Sequence, residues 1–394
     1  MTMVITHVCG KYRPAIDGLS NYVYNLSIRL ANNFKVFVIT TDLIKYTNIL
    51  KAYKCKNHIE LLNDNLCVIR LHTRPPYLPY FWSYGVTLEF IKLKNLLRES
   101  DIIHVHSYMQ WHSDVSIILS KYLHKPSVLT IHAYGYYSRK MLKTLTKIYH
   151  SSIAKSILSK SDIIIVLDPI AYKFFSELVE KDKLRMIPNG IDYYRFNITV
   201  NDEMRNHIKL LLGLKEYVIL YVGQLIQRKG LEVLVRAFSR LVRKGHTDVS
   251  LLIVGDGPEY HKLRSLINSM YLTESIKILR KISDYILPFI YKVADLFVLP
   301  SYYEGLPTVI LEAFASGLPV IATKVGGVPW LIKSSKAGVL LEPGDHISLA
   351  EAMEKILTDS TTRRRMSMNA TMYAKKFDWS IVASMIENVY KEII

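Results

Sequence analysis

The feature that most restricts the fold is an alternation that runs along nearly the whole chain. Short apolar runs are each followed by a longer segment with helical periodicity. In the first half the runs fall at Met3–His7, Lys35–Thr40, Cys67–Leu71, Ile102–Val105, Ser127–Ile131 and Ile163–Leu167, with helical patterns such as Leu19–Ala31 and Val86–Leu97 between them. In the second half they fall at Tyr217–Val222, Ser250–Val254, Ser275–Leu279, Asp295–Leu299 and Val320–Ala322, with helical patterns at Leu231–Arg243, Glu259–Ser269, Ile286–Val293 and Thr308–Ala315. Strand–helix alternation predicts parallel sheets covered by helices on both faces, an α/β fold class. A length of 394 residues suggests two or three domains. The punctuating hexapeptide Ile187-Pro188-Asn189-Gly190-Ile191-Asp192 sets the expected boundary. The predicted division is 1–187, 188–376 and a terminal segment 377–394. That last segment carries Ile381, Val382, Met385, Ile386, Val389, Tyr390 and Ile393 at helical spacing.

The stretch Ser301-Tyr302-Tyr303-Glu304-Gly305-Leu306-Pro307-Thr308-Val309-Ile310-Leu311-Glu312 carries the clearest chemistry. Glu304 ends a loop after an apolar run, and Glu312 falls inside the helix that Pro307 is expected to open. Proline suits a first helical turn, where its missing N–H costs nothing. The N–H groups of Thr308 and Val309 in that turn form an anion site. A carboxylate for a sugar, a helix end for phosphate and a second carboxylate further along suit a sugar nucleotide.

Charge points the same way. The chain has 51 Lys+Arg against 34 Asp+Glu, a net of +17, of which +11 lies within residues 1–170. Such a field favours anionic partners: nucleotide sugars, phospholipid surfaces, lipid phosphates or nucleic acid. The three cysteines, Cys9, Cys55 and Cys67, have neither disulfide-framework nor zinc spacing, which suits a reducing compartment. The Met-Thr-Met-Val-Ile-Thr start lacks a basic region and a long apolar stretch, so no signal peptide is expected. No run reaches the roughly 18 apolar residues of a spanning helix. The expectation is a cytoplasmic protein, soluble or peripheral on the cytoplasmic membrane face.

The Glu304-to-Glu312 block resembles the retaining glycosyltransferases of family 4. The similarity continues through Ala313, Gly317-Leu318-Pro319-Val320-Ile321-Ala322-Thr323 and Gly326-Gly327-Val328-Pro329, and Asn189-Gly190-Ile191-Asp192 matches the family's inter-domain junction. The resemblance implies the GT-B fold: two Rossmann-like domains facing each other across a cleft, with the C-terminal helix crossing back to the N-terminal domain. It implies that Glu304 hydrogen-bonds the donor sugar, with Gly305 and Leu306 beside it. Glu312 accepts from the ribose, Thr308 and Val309 hold phosphate, and Lys281-Ile282 flank the base. Lys229, in Gly223-Gln224-Leu225-Ile226-Gln227-Arg228-Lys229-Gly230, matches the family's diphosphate-binding lysine. The family arginine at the end of this strand is Gln224 here, and Arg228 is the candidate to replace its charge. Gly18 retains one glycine of a family pair, the other being Asp17; Lys11 and Arg13 in the same loop could add positive field or be solvated. His132 matches a histidine beside the donor sugar. His104 and His106 also sit at a strand end, where one of the two is expected to point into packing, and Asp114 is a further, weaker candidate. Glu304, His132 and Lys229 are thus the expected catalytic residues.

No Asp-x-Asp occurs, so no metal is expected, and the leaving diphosphate would be met by cations and backbone N–H groups. The donor is expected to be a UDP- or GDP-sugar, and the acceptor a lipid-linked group or a saccharide. Lys140, Lys143 and Lys147 line one face of an amphipathic segment, with Tyr134, Tyr136 and Tyr137 upstream and Pro79 to Tyr84 as an aromatic foot, a pattern suited to an anionic membrane surface. Two alternatives stay open: another GT-B activity, such as a glycogen-synthase-like transferase or a sugar-nucleotide epimerase, and a basic nucleic-acid-binding protein. Interspersed charge without any recognised nucleic-acid motif weighs against the last.

Overall fold

The computed structural model describes residues 2–15, 17–46, 52–74, 89–132 and 153–394. In chain order its strands are β1 (Val4–Val8), β2 (Lys35–Thr41), β3 (Leu43–Tyr46), β4 (Ala52–Lys54), β5 (Ile59–Asn63), β6 (Leu66–Leu71), β7 (Ile102–His106), β8 (Ser127–Ile131), β9 (Ile163–Val166), β10 (Leu184–Met186), β11 (Tyr217–Val222), β12 (Val249–Val254), β13 (Ile276–Leu279), β14 (Leu296–Leu299), β15 (Val320–Thr323) and β16 (Gly338–Leu341). They form an eight-stranded sheet in the order β10-β9-β8-β7-β1-β2-β6-β5, a six-stranded sheet in the order β13-β12-β11-β14-β15-β16, and a β3-β4 pair. The six-stranded sheet is parallel throughout. In the larger sheet only β5 runs against its neighbour β6.

Each sheet starts near its middle, builds outward, then returns to build the other way. The reversal falls between β1 and β7 in one sheet and between β11 and β14 in the other. In open parallel sheets this is where the carboxyl ends of the strands leave a ligand crevice.

The cores explain why the strand runs are apolar on both faces. On one side of the larger sheet, Ile5, Val36, Val38, Val68, Ile102 and Val128 pack against Tyr22, Val23, Leu26 and Leu30 of helix Gly18–Leu30. On the other side Val8, Ile39, Ile103, Val105, Leu129 and Ile164 pack against residues such as Leu93, Leu97, Ile117 and Phe175. Neighbours such as Ile102 and Ile103 therefore enter opposite cores, as strand alternation requires.

The chain divides into Met1–Asn189 with Trp379–Ile394, and Gly190–Asp378. Within the second unit its two ends run side by side: the Ile191 N–H donates to the Phe377 carbonyl at 2.8 Å, and the Tyr193 N–H to the Asp378 carboxylate at 3.1 Å. The terminal helix Trp379–Glu392 belongs to the first unit, where Trp379, Val382, Ala383, Ile386, Val389 and Tyr390 join its core. Arg185 clamps Glu392 at 2.6 Å. Ile381 and Met385 lie off that stripe and are exposed, so the apolar spacing overstated the buried face.

Other departures have local causes. Thr308, not Pro307, begins the helix Thr308–Ala315, and Pro307 is its N-cap with extended backbone. The predicted helix 86–97 is observed as Phe90–Arg98, and residues 86–88 lie outside the described ones. Strand β16 escaped notice because it begins with glycine, yet a Cβ at Gly338 would come within 2.1 Å of the Val320 carbonyl oxygen on the adjacent strand. No helix among the described residues is long and apolar enough to cross a membrane.

Ile386 is fully buried whereas Met385 is not. Ile386→Ala is expected to lower stability by about 2–5 kcal/mol, and Met385→Ala by no more than about 0.5 kcal/mol. Denaturant titration of the two variants, followed by tryptophan fluorescence, checks the contrast; equal effects would contradict the docking of this helix.

Candidate active site

The loops after β11 and β14 meet where the strand order of the second sheet reverses. Gly230 ends the first loop with φ +67°, and a Cβ there would lie 2.1 Å from the Pro300 carbonyl oxygen. Only glycine permits that approach. The Tyr302 N–H donates to the Arg228 carbonyl at 2.8 Å, tying the loops together. A third loop, after β15, closes on Glu304 through Gly326 (φ +50°), whose Cβ would meet the Glu304 carbonyl oxygen at 2.0 Å; Gly327 N–H donates to the Gly305 carbonyl at 2.9 Å.

Within this frame Lys229 Nζ donates to Glu304 Oε1 at 2.6 Å, and Ser301 Oγ donates to the same oxygen at 2.6 Å. Lys229 and Glu304 are both buried. Burial pulls the Lys229 amine below the ordinary lysine range, and the Glu304 carboxylate opposes that pull. Glu304 Oε2 has the Arg228 guanidinium at 3.6 Å. Arg228 also donates to the Tyr303 carbonyl at 3.0 Å. Gln224 is exposed, and its carbonyl accepts from the Tyr221 hydroxyl at 3.0 Å. Two cations of one turn thus stand beside Glu304, Lys229 on Oε1 and Arg228 near Oε2, whereas the Gln224 position brings no charge.

The helix start at Thr308 and Val309 has no side-chain cap, and both residues are half-buried; Gly305 is half-buried and Leu306 buried. Half-buried Glu312 accepts from the Tyr291 hydroxyl at 2.7 Å. Burial raises the Glu312 carboxyl pKa, with Tyr291 and Arg195 opposing. Arg195 also donates to the Asp284 carbonyl. That bond anchors the loop carrying Lys281 and half-buried Ile282, which follows β13 at the sheet edge.

In the first unit, Gly18 opens helix Gly18–Leu30, and a Cβ there would meet nothing within 4 Å. Asp17 caps this helix, accepting from the Ser20 N–H at 2.8 Å, so a carboxylate of the chain occupies the helix end beside Gly18. Lys11 lies 3.9 Å from Asp17, and the Arg13 guanidinium stacks 3.6 Å over the Tyr24 ring. Asp114 is buried and accepts from the Met109 N–H at 3.2 Å. His104 and His106 are both buried and share one face of β7, as residues two apart on a strand do. The expectation that only one of them points into packing is corrected. His132 follows β8, half-buried, with Nε2 3.3 Å from Nδ1 of His106. Lys140, Lys143 and Lys147, with Tyr134, Tyr136, Tyr137 and the segment 79–84, lie outside the described residues.

Ser301, Tyr291, Arg195 and His7 are site neighbours that the sequence did not single out. Ser301 stood inside the Glu304 motif, and its spacing from Glu304 was a usable signal. The other three carry no local pattern.

The comparisons with known proteins agree with this geometry. The family described as Glycosyl transferases group 1 matches residues 202–372, and Glycosyltransferase Family 4 matches residues 16–195. An uncharacterized glycosyltransferase of Methanocaldococcus jannaschii is 29% identical, the match spanning 99% of this chain and 98% of that protein. The alpha-D-kanosaminyltransferase of Streptomyces kanamyceticus is 29% identical over 82% of this chain and 90% of its own. Among solved structures, sucrose-phosphate synthase from Thermosynechococcus elongatus aligns with TM-score 0.77 at 23% identity, covering 99% of this chain and 98% of that one. Anabaena HepE in complex with UDP aligns with TM-score 0.77 at 18% identity, covering all of both chains.

Removing one member of a buried ion pair strands the other, whereas removing both does not. Lys229→Met and Glu304→Gln are each expected to cost about 2–4 kcal/mol, and the double variant at least about 1 kcal/mol less than their sum. A thermodynamic cycle from chemical denaturation measures this; strict additivity would mean the pair is not coupled.

Proposed function

Because the chain belongs to the group 1, family 4 glycosyltransferases, enzymes of the GT-B fold that use nucleotide-sugar donors, we propose that it transfers a hexosyl group from a UDP- or GDP-sugar with retention of configuration and without a metal ion. The observation that carries this reading is how Glu304 is held. Its Oε1 already accepts from Lys229 and Ser301, while among the described residues Oε2 has only the longer Arg228 contact and keeps acceptor capacity for a sugar hydroxyl.

Glycosyl transfer develops positive character at the anomeric carbon and negative charge on the leaving diphosphate. In the proposed reaction, Lys229, Arg228 and the uncapped N–H groups of Thr308 and Val309 meet the second charge. Glu304 orients the sugar, and Glu312 takes the ribose. His132 donates a hydrogen bond to the donor sugar. The bond from the anomeric carbon to phosphate breaks as the acceptor oxygen bonds to the same face, and the acceptor proton passes to the departing phosphate. The HepE complexes with UDP and with UDP-glucose favour UDP as the nucleotide. Similarity to WaaG, a glycosyltransferase involved in lipopolysaccharide biosynthesis, favours a lipid-linked acceptor over a free saccharide.

A thermal-shift panel of UDP-, GDP-, ADP- and dTDP-sugars in EDTA tests the donor reading, since a ligand that binds only the folded protein raises its melting temperature. The expected result is a shift with a UDP- or GDP-sugar and undiminished turnover in EDTA. Glu304→Gln is expected to lower kcat by about 10²–10³ with circular dichroism unchanged. No shift with any donor, a strict need for Mg²⁺, or comparable turnover in the variant would overturn the proposal.

We further propose that Lys140, Lys143 and Lys147 together hold the enzyme to the cytoplasmic membrane surface, each lysine contributing about 1 kcal/mol near anionic lipid. Reversing all three to Glu is expected to abolish sedimentation with phosphatidylserine vesicles; binding that survives the reversal would refute it.

A further inference from the structure

Three histidines from adjacent strands form one hydrogen-bonded chain across the first sheet. His7 lies on β1, His106 on the neighbouring β7, and His132 just after β8 beyond it. His7 Nδ1 lies 2.9 Å from His106 Nε2, and His106 Nδ1 lies 3.3 Å from His132 Nε2. His104 stands beside this chain but outside it, with Nδ1 on the Tyr390 hydroxyl at 2.6 Å and Nε2 on the Thr130 hydroxyl at 2.7 Å. The Tyr22 ring packs edge-on against His132, 4.6 Å between centroids, and fixes its plane.

The chemistry of neutral imidazole couples the three rings. One nitrogen of each ring carries the proton and the other accepts, so the tautomer of one ring dictates that of the next. Burial keeps them neutral: it lowers His7 and His132 to about 3, and His106 well below its ordinary value. Only two arrangements remain, and they differ in what His132 shows at Nδ1: a lone pair in one, an N–H in the other. The far end of the chain decides between them. His7 Nε2 is fully buried and has no hydrogen-bond partner among the described residues. A stranded buried N–H is rarer than an under-used acceptor. Nε2 of His7 is therefore the bare nitrogen. His7 Nδ1–H then donates to His106, His106 Nδ1–H donates to His132 Nε2, and His132 carries its proton on Nδ1. That nitrogen makes no hydrogen bond among the described residues.

We propose that His7 and His106 are positioning residues that lock His132 in its Nδ1–H tautomer, so that it meets the donor sugar as a neutral hydrogen-bond donor and not as a base. This rests on the assignment of His132 to the donor sugar above.

The test uses the full chain labelled with ¹⁵N-histidine, without donor, and reads each ring's tautomer from long-range ¹H–¹⁵N correlations. The wild-type protein is expected to show His132 protonated on Nδ1. His106→Phe, which keeps a ring but removes both bonds, and His7→Phe are expected to give a mixture of His132 tautomers. His7→Asn, which restores an amide donor near the Nδ1 position, is expected to recover the single Nδ1–H form. In parallel, kcat should fall about ten-fold in the two Phe variants with donor KM little changed, and recover in His7→Asn.

An Nε2–H tautomer of His132 in the wild type, or an unchanged signature in His106→Phe, overturns the proposal. So does near-stoichiometric metal in the purified protein, since His7, His104 and His106 also bring ring nitrogens within 4.8 Å of one another. Should a Phe variant fail to fold, the wild-type spectrum and His7→Asn still decide. The spectra need no donor, so an Nδ1–H signature in a protein that no nucleotide sugar stabilises would refute the transferase reading and leave the tautomer assignment standing.

Discussion

A buried lysine and a buried glutamate 2.6 Å apart organise the second unit. Taking both charges out of water costs several kcal/mol per ion, and the attraction between them returns that only when geometry and extra hydrogen bonds are right. The surrounding chain supplies both. Ser301 adds a second donor to the same carboxylate oxygen. Glycines at 230 and 326 let backbone carbonyls approach closer than any Cβ allows. An apolar pair of the same volume would hold the loops about as well, so stability alone does not explain why charges are kept here. A fixed carboxylate with one oxygen committed and the other still able to accept is an arrangement a sugar-binding site needs and a core does not.

The same logic separates what was legible in the sequence from what was not. Parallel strands buried on both faces declare themselves as continuous apolar runs, so Tyr217–Val222 and Ser127–Ile131 were readable to the residue. Edge strands do not: Ile59–Asn63 is largely exposed, and Gly338 reads as a breaker although its missing side chain is what allows β16 to pair. The Glu304 loop was legible because its ligands are local, with Ser301 three residues away and Lys229 in a recognisable strand-end turn. The partners of Glu312 were not. Tyr291 lies 21 residues away on another helix, and no pattern in the chain links the two. Likewise, a lone histidine in an apolar run, such as His7, says nothing until β1 and β7 are laid side by side. Spacing reveals contacts along one element, whereas contacts between elements wait on topology.

Where the resemblance calls for a strand-end arginine, this chain has the uncharged Gln224 and, four residues on, Arg228. A strand-end arginine would project from the residue that Gln224 occupies, which here is exposed with its carbonyl held by Tyr221. The Arg228 guanidinium stands four residues along, on the turn that carries Lys229, and is tethered through the Tyr303 carbonyl to the loop that carries Glu304. Two consequences follow. Arg228 and Lys229 ride on one short turn, so a displacement of that turn would alter both of their contacts to Glu304 together. Arg228 is also more exposed than Lys229, at 43% against 10% of the side chain, so solvent screens its charge more strongly. The deeper lysine is therefore the more firmly held cation of this pair, and the arginine the one whose charge solvent screens more.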